Sequence, residues 1–140
     1  IHHREGRGFA RFEEKANAAP SWVVGDPEEL KTAVSNVLDN AVKYSRDEVS
    51  VTAEIVTSNE KSVVLRVRDQ GVGIPAGELK RVFKRFYRVP DRALSKVKGT
   101  GLGLFIVRAI ARKHGGRAFA ESDGEGKGTT VTIELPRSMA

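Results

Sequence analysis

The chain has 140 residues, 39% hydrophobic and 30% charged, a balance that suits one compact soluble domain and excludes a disordered or fibrous protein. Lysine and arginine exceed aspartate and glutamate by 24 to 18, a formal charge of +6, and with no cysteine there are no disulfides and no thiolate chemistry. No apolar run approaches the roughly 20 residues that span a bilayer. The cations are densest at 80–98, without zinc ligands or the aromatic–glycine pattern of RNA readers, so neither membrane nor nucleic acid is the expected partner.

Residues 1–19 are polar and irregular, a remnant or connection with a short strand at 9–12, and the ordered domain is expected over 20–137. Asp26, Pro27, Glu28 and Glu29 then make a helix start. The aspartate serves as N-cap, proline takes the first helical position, and the acidic side chains face the positive helix end. This helix runs to about Tyr44. Val49, Val51, Ala53 and Ile55 alternate with Ser50, Thr52 and Glu54, the period of a half-buried strand. A turn at 58–60 follows, and Val63, Leu65 and Val67 alternate with Val64, Arg66 and Arg68 up to Asp69, completing a hairpin.

A short amphipathic helix is expected at 76–83, then a polar stretch at 88–98 with few apolar anchors, suited to a lid. The glycine-rich run 99–103 opens a further helix, where Leu102, Phe105, Ile106, Ala109 and Ile110 sit at helical spacing. His114, Gly115 and Gly116 stop it, with His114 read as a dipole partner or surface residue. Strands at 117–121 and 129–135, joined by a turn at 123–126, complete the chain. The expected fold is α+β: a two-layer α/β sandwich in which about three helices cover one mostly antiparallel mixed sheet.

Four stretches carry chemistry. On the first helix Asn36, Asn40 and Lys43 fall within about 60° of one another and form one polar stripe. Either the stripe is merely solvated, or its amide oxygens and ammonium serve a hard cation and phosphate oxygens, which suit such donors. Asp69, Gly71, Gly73 and Ile74 stand where a strand ends. They make either an ordinary turn or a pocket whose carboxylate accepts an exocyclic amine. Gly99, Thr100, Gly101, Leu102, Gly103 and Leu104 are a helix-entry turn or an anion site of free N–H groups, without the lysine of a Walker loop. Phe83 and Phe86 read first as core aromatics, whereas the guanidinium of Arg88 could clamp a terminal phosphate.

In this order the stretches resemble the catalytic domain of sensor histidine kinases, in the superfamily shared with gyrase, Hsp90 and MutL. Residues 36–45 look like the family's N box, 69–75 like its first glycine box, 83–88 like its F box and 99–104 like its second glycine box. Gly128, Thr129 and Thr130 resemble the glycine-threonine element before the last strand. The likeness covers about 26–136 and implies the Bergerat type of sandwich.

It implies ATP and Mg²⁺ as ligands, with Asn40 on the metal, Asn36 supporting metal or phosphate, Lys43 near phosphates and Tyr44 against the nucleotide. Asp69 would read the adenine amine, with Gly71, Gly73, Ile74 and Phe83 shaping the pocket. Arg88 would approach the γ-phosphate. Lys98, Gly99, Thr100, Gly101, Leu102, Gly103, Leu104 and Thr130 would also contact the nucleotide, with the glycines from Gly101 facing the phosphates. Residues 88–98 would be the ATP lid.

The water-activating members of the superfamily carry a glutamate four residues before the metal-binding asparagine, where this chain has Asn36. An amide cannot act as general base at neutral pH. The resemblance therefore implies transfer of the γ-phosphate to a histidine. No Ser-His-Glu-like acceptor box occurs here, so the implied partners are a separate histidine-bearing dimerisation domain and, through the parent protein, a response regulator receiver domain. The expected location is the cytoplasm, whether or not the parent is anchored in the inner membrane. Two alternatives are a nucleotide-sensing module without transfer activity and a serine kinase of the anti-sigma type.

Overall fold

The computed structural model describes residues 10–16, 22–43, 49–58, 61–71, 73–74, 76–84, 103–124 and 126–138, with the backbone alone at 10–16, 49, 57–58 and 76. The elements in chain order are β1 (Ala10–Ala16), α1 (Pro27–Lys43), β2 (Val49–Ser58), β3 (Ser62–Asp69), two 3-10 turns (Ala76–Glu78 and Arg81–Phe83), α2 (Gly103–Lys113), β4 (Arg117–Glu121) and β5 (Thr129–Pro136). The five strands form one sheet in the order β1-β2-β3-β5-β4. Strand β1 lies parallel to β2, and the other three pairings are antiparallel, so the sheet is mixed and mostly antiparallel as expected.

Local chemistry explains the helix ends. Asp26 Oδ1 accepts the N–H groups of Glu28 at 2.9 Å and Glu29 at 3.3 Å, satisfying donors that have no partner inside the helix. At the far end of α2, Gly116 N–H donates to Ala111 O and Gly115 N–H to Arg112 O, the two bonds of a Schellman stop. Ala33, Val37 and Ala41, four residues apart, are the buried stripe of α1, and Leu104, Val107, Ile110 and Ala111 are that of α2. Both stripes meet Val51, Val67, Val131 and Ile133 on one face of the sheet.

Three expectations change. The stretch 76–83 is two 3-10 turns and not a helix, ending where Lys84 N–H bonds Arg81 O at 2.9 Å and the chain turns extended. Eight residues interrupted by Gly77 are too few to sustain a helix by themselves, and the turns suffice to bury Val82 and Phe83. Ile55, on the core side of β2, is 51% exposed, because two α-helices do not cover that end of a five-stranded sheet. Val64, on the opposite face, is 1% exposed, flanked in register by Val56 and Glu134. That face also carries two cross-strand ion pairs, Arg66–Glu54 at 3.3 Å and Arg117–Glu134 at 3.5 Å.

Candidate functional site

Asp69 is the last residue of β3 and lies on the sheet face that the helices cover, in line with Val67 and Leu65. It is 3% exposed, yet its carboxylate is held. Oδ1 accepts the N–H of Gly71 at 2.8 Å and the N–H of Thr129 at 3.2 Å. Among the described residues no hydrogen bond reaches Oδ2. Burial pushes the acid up to about 6, and the two backbone N–H bonds pull the other way without cancelling it. A carboxylate with one oxygen held by two N–H groups has its second oxygen left to accept a further donor.

Two glycines close to it have no room for a side chain. Gly73 has φ +74°, and a Cβ there would collide with the carbonyl oxygen of Gly124 in the β4–β5 connection. Gly128 has φ +77°, and a Cβ there would collide with the carbonyl oxygen of Asp69 itself. Gly124 and Gly128, between β4 and β5, therefore pack directly against Gly73 and Asp69.

Asn36, Asn40 and Lys43 share the exposed edge of α1 beside its buried stripe, all three half-buried. The Asn36 amide nitrogen lies 3.5 Å from Gly103 O, at the limit for a hydrogen bond, which brings this edge to the first turn of α2. No group of three or more His, Cys, Asp or Glu side chains gathers among the described residues. The donor set is thus neutral amide oxygen with one ammonium nearby. That chemistry fits Mg²⁺ bound mainly through its ligand's phosphates and water, and it does not fit a metal held by a carboxylate cage.

Several expected site residues lie in the core or on the far face of the sheet. Ile74, Phe83 and Leu104 are all under 9% exposed and belong to the hydrophobic core, so they support the site from beneath. The Arg108 guanidinium lies 5.8 Å from the centroid of the Phe83 ring. Thr130 lies on the sheet face turned away from the helices, because β5 alternates and its neighbours Thr129 and Val131 face the core. Thr129, 7% exposed and bonded to Asp69, is the threonine of the pair that faces the helices. Tyr44, Arg88, Lys98, Gly99, Thr100, Gly101 and Leu102 lie outside the described residues, as does the lid expected at 88–98.

Sequence reasoning missed Ser122. Its hydroxyl accepts the N–H of Ile74 at 3.1 Å and contacts Gly128 O at 2.6 Å. The only sequence signal is a serine between a strand and a glycine-rich turn, which ordinary turns also carry.

Known proteins share this sequence pattern and fold. The sequence matches, over residues 25–139, the family described as histidine kinase-, DNA gyrase B- and HSP90-like ATPase. It is 42% identical over 116 residues to the sensor histidine kinase WalK of Bacillus subtilis, covering 82% of this chain and 19% of that protein. It is 40% identical over 112 residues to the sensor protein kinase WalK of Staphylococcus haemolyticus, covering 79% of this chain and 18% of that protein. The chain thus spans under a fifth of these relatives.

Among solved structures, the mycobacterial sensor histidine kinase MprB superposes with a TM-score of 0.76 at 36% identity, covering 90% of this chain and 82% of that one. Full-length ShkA in complex with AMPPNP superposes with a TM-score of 0.78 at 24% identity, covering 96% of this chain and 27% of that one, a likeness of fold. No helix among the described residues is long and apolar enough to cross a membrane. The chain belongs to the histidine kinase-, DNA gyrase B- and HSP90-like ATPase family, as a domain of the sensor histidine kinase type.

Proposed function

We propose that this domain binds ATP with Mg²⁺ and presents the γ-phosphate to a histidine on a separate dimerisation domain. The observation that carries the proposal is the Asp69 carboxylate, buried, pinned at Oδ1 by two N–H groups and unbonded at Oδ2 among the described residues. A purine 6-amino group donates to such an oxygen, whereas the 6-oxo group of guanine opposes lone pair to lone pair. The likeness to ShkA, solved with AMPPNP, supports the reading at the level of fold.

The phosphate end is the edge of α1 that faces the start of α2. Asn40 would supply its amide oxygen to the metal. Lys43, the last residue of α1, offsets phosphate charge, and Asn36 supports both through its tie to Gly103. Tyr44, Arg88 and the glycines of 99–103 complete the site in this reading. Bound in this way, Mg²⁺ offsets the charge on the phosphates during transfer.

With an amide at position 36, no side chain is available there to take a proton from water. The acceptor is then an imidazole nitrogen. It forms a bond to the γ-phosphorus as the bond to the β-phosphate oxygen breaks, and ADP leaves. A response regulator would later take the phosphoryl group from that histidine.

Titration calorimetry of the chain with ATP and GTP, each with and without Mg²⁺, tests the binding half. Preference for ATP with a gain from Mg²⁺ is expected, and no heat from a folded sample would overturn the proposal. For the transfer half, adding a histidine-bearing domain of the same parent should yield acid-labile phosphate on that domain. Sustained ATP hydrolysis by the chain alone would instead place it with the water-activating members.

A further inference from the structure

We infer that Ser122 is a positioning residue for base recognition, setting the aim of the Asp69 carboxylate without touching the ligand. Ser122 follows β4 and stands where three backbone stretches meet. Its Oγ accepts the N–H of Ile74 at 3.1 Å and that of Gly124 at 3.2 Å. The same atom lies 2.6 Å from Gly128 O and 3.3 Å from Gly124 O. A hydroxyl has one proton and two lone pairs. The shorter contact takes the proton, the two N–H groups take the lone pairs, and the hydroxyl is fully used.

What it joins gives the role. Ile74 lies three positions along the chain from Gly71, whose N–H holds Asp69 Oδ1. Gly128 precedes Thr129, whose N–H holds the same oxygen from the other side. Both arms that orient the carboxylate therefore run back, within three residues, to a group that Ser122 holds. The collisions that a Cβ would meet at Gly73 and Gly128 show that neither arm can be held by bulk packing of a side chain at those positions. One hydroxyl keeps the two arms at a fixed spacing, and that spacing decides where Oδ2 points.

An acceptor that discriminates between a 6-amino and a 6-oxo purine depends on that direction, because a hydrogen bond weakens steeply as it bends. Loss of the hydroxyl should therefore weaken recognition of the base more than binding of the phosphates. Asp69 and the N box stay chemically intact, so the effect is one of ratio. The inference rests on the proposed reading of Asp69 as the adenine acceptor.

The test is the affinity of the full chain for ATP and for ITP, its 6-oxo counterpart, in the wild type, Ser122→Ala and Ser122→Thr. The alanine variant should lose about tenfold in ATP affinity with ITP affinity nearly unchanged, and threonine, which keeps the hydroxyl, should restore the wild-type ratio. Should alanine prevent folding, Ser122→Cys makes the same comparison, since a thiol is a weaker hydrogen-bonding group. An equal loss for both nucleotides, or an unchanged ratio in the variant that folds, would overturn the role of Ser122 while leaving ATP binding established. A wild type that binds neither nucleotide, or both equally, would overturn the adenine reading itself and this inference with it.

Discussion

Asp69 Oδ1 accepts the backbone N–H of Thr129, 60 residues further along the chain, at 3.2 Å. This bond places a buried acid at the seam between β3 and β5, and it has a consequence for pH. Burial raises the acid from 3.8 to about 6, so between those values the folded chain holds a proton that the unfolded chain has lost. Asp69 contributes stability that is fully present below the unfolded value and is lost as pH rises through about 6. Ionised at neutral pH, it costs the fold about 3 kcal/mol.

Asp69→Asn removes the titration and keeps an oxygen for both N–H groups. In urea unfolding at pH 4, 5, 6 and 7, the variant should gain on the wild type by up to about 3 kcal/mol across the series. Parallel curves would show that Asp69 does not titrate in this window. ATP affinity should run the other way, falling as pH drops through about 6, because an amine donor prefers the ionised acceptor.

The N box divides metal from base. Asn40→Ala should weaken ATP binding in the presence of Mg²⁺ on the order of tenfold, and change metal-free binding by about twofold at most. Asp69→Ala should reduce both by a similar factor and erase the preference over GTP. Calorimetry with and without EDTA separates the two, and equal losses for Asn40→Ala in both buffers would remove it from the metal.

Much of this was legible before any coordinates. Asp26 at a helix start, the stripe Ala33, Val37, Ala41 and the alternation of 63–69 are local signals, and local chemistry decides them. Asp69 was legible for the same reason, as an acid at the end of an alternating strand. Thr129 and Thr130 were not separable, since a single step in register swaps the face and nothing in a threonine pair states which one faces in. The parallel pairing of β1 with β2 was hidden because its partner strand begins beyond the whole of α1. Ser122 was hidden because its hydrogen bond to Ile74 joins positions 48 apart, and only the folded chain brings them together.

Two glycines near each other in sequence should respond oppositely to one methyl group. Gly73→Ala puts a side chain at positive φ and against the Gly124 carbonyl, a loss of about 3 kcal/mol or more together with nucleotide binding. Gly77, in the first 3-10 turn, has open space where its Cβ would be, and Gly77→Ala should leave stability unchanged or raise it by up to about 1 kcal/mol. Thermal unfolding of the two variants checks the contrast, and similar melting points would mean that the β4–β5 connection does not press on the turn.

His114, expected as a dipole partner or a surface residue, has both ring nitrogens engaged and its side chain half-buried. Nε2 accepts the N–H of Asp26 at 3.1 Å, so Nδ1 carries the hydrogen and donates it to Ile110 O at 2.8 Å. The ring thus ties the C-terminal end of α2 to the N-cap of α1, the helix that carries Asn36 and Asn40. Beside it, Lys113 reaches Glu29 at 2.8 Å, and that hydrogen bond and charge push the lysine up. The lysine is exposed, so water screens the pair and Lys113→Ala should change stability little. His114→Ala removes two hydrogen bonds from a half-buried junction and should cost about 1 to 2 kcal/mol. It should also speed hydrogen exchange at the amides of the first turn of α1, because the cap at Asp26 loses its brace. If Lys113→Ala proved as costly as His114→Ala, the ion pair and not the imidazole would be what joins the two helices.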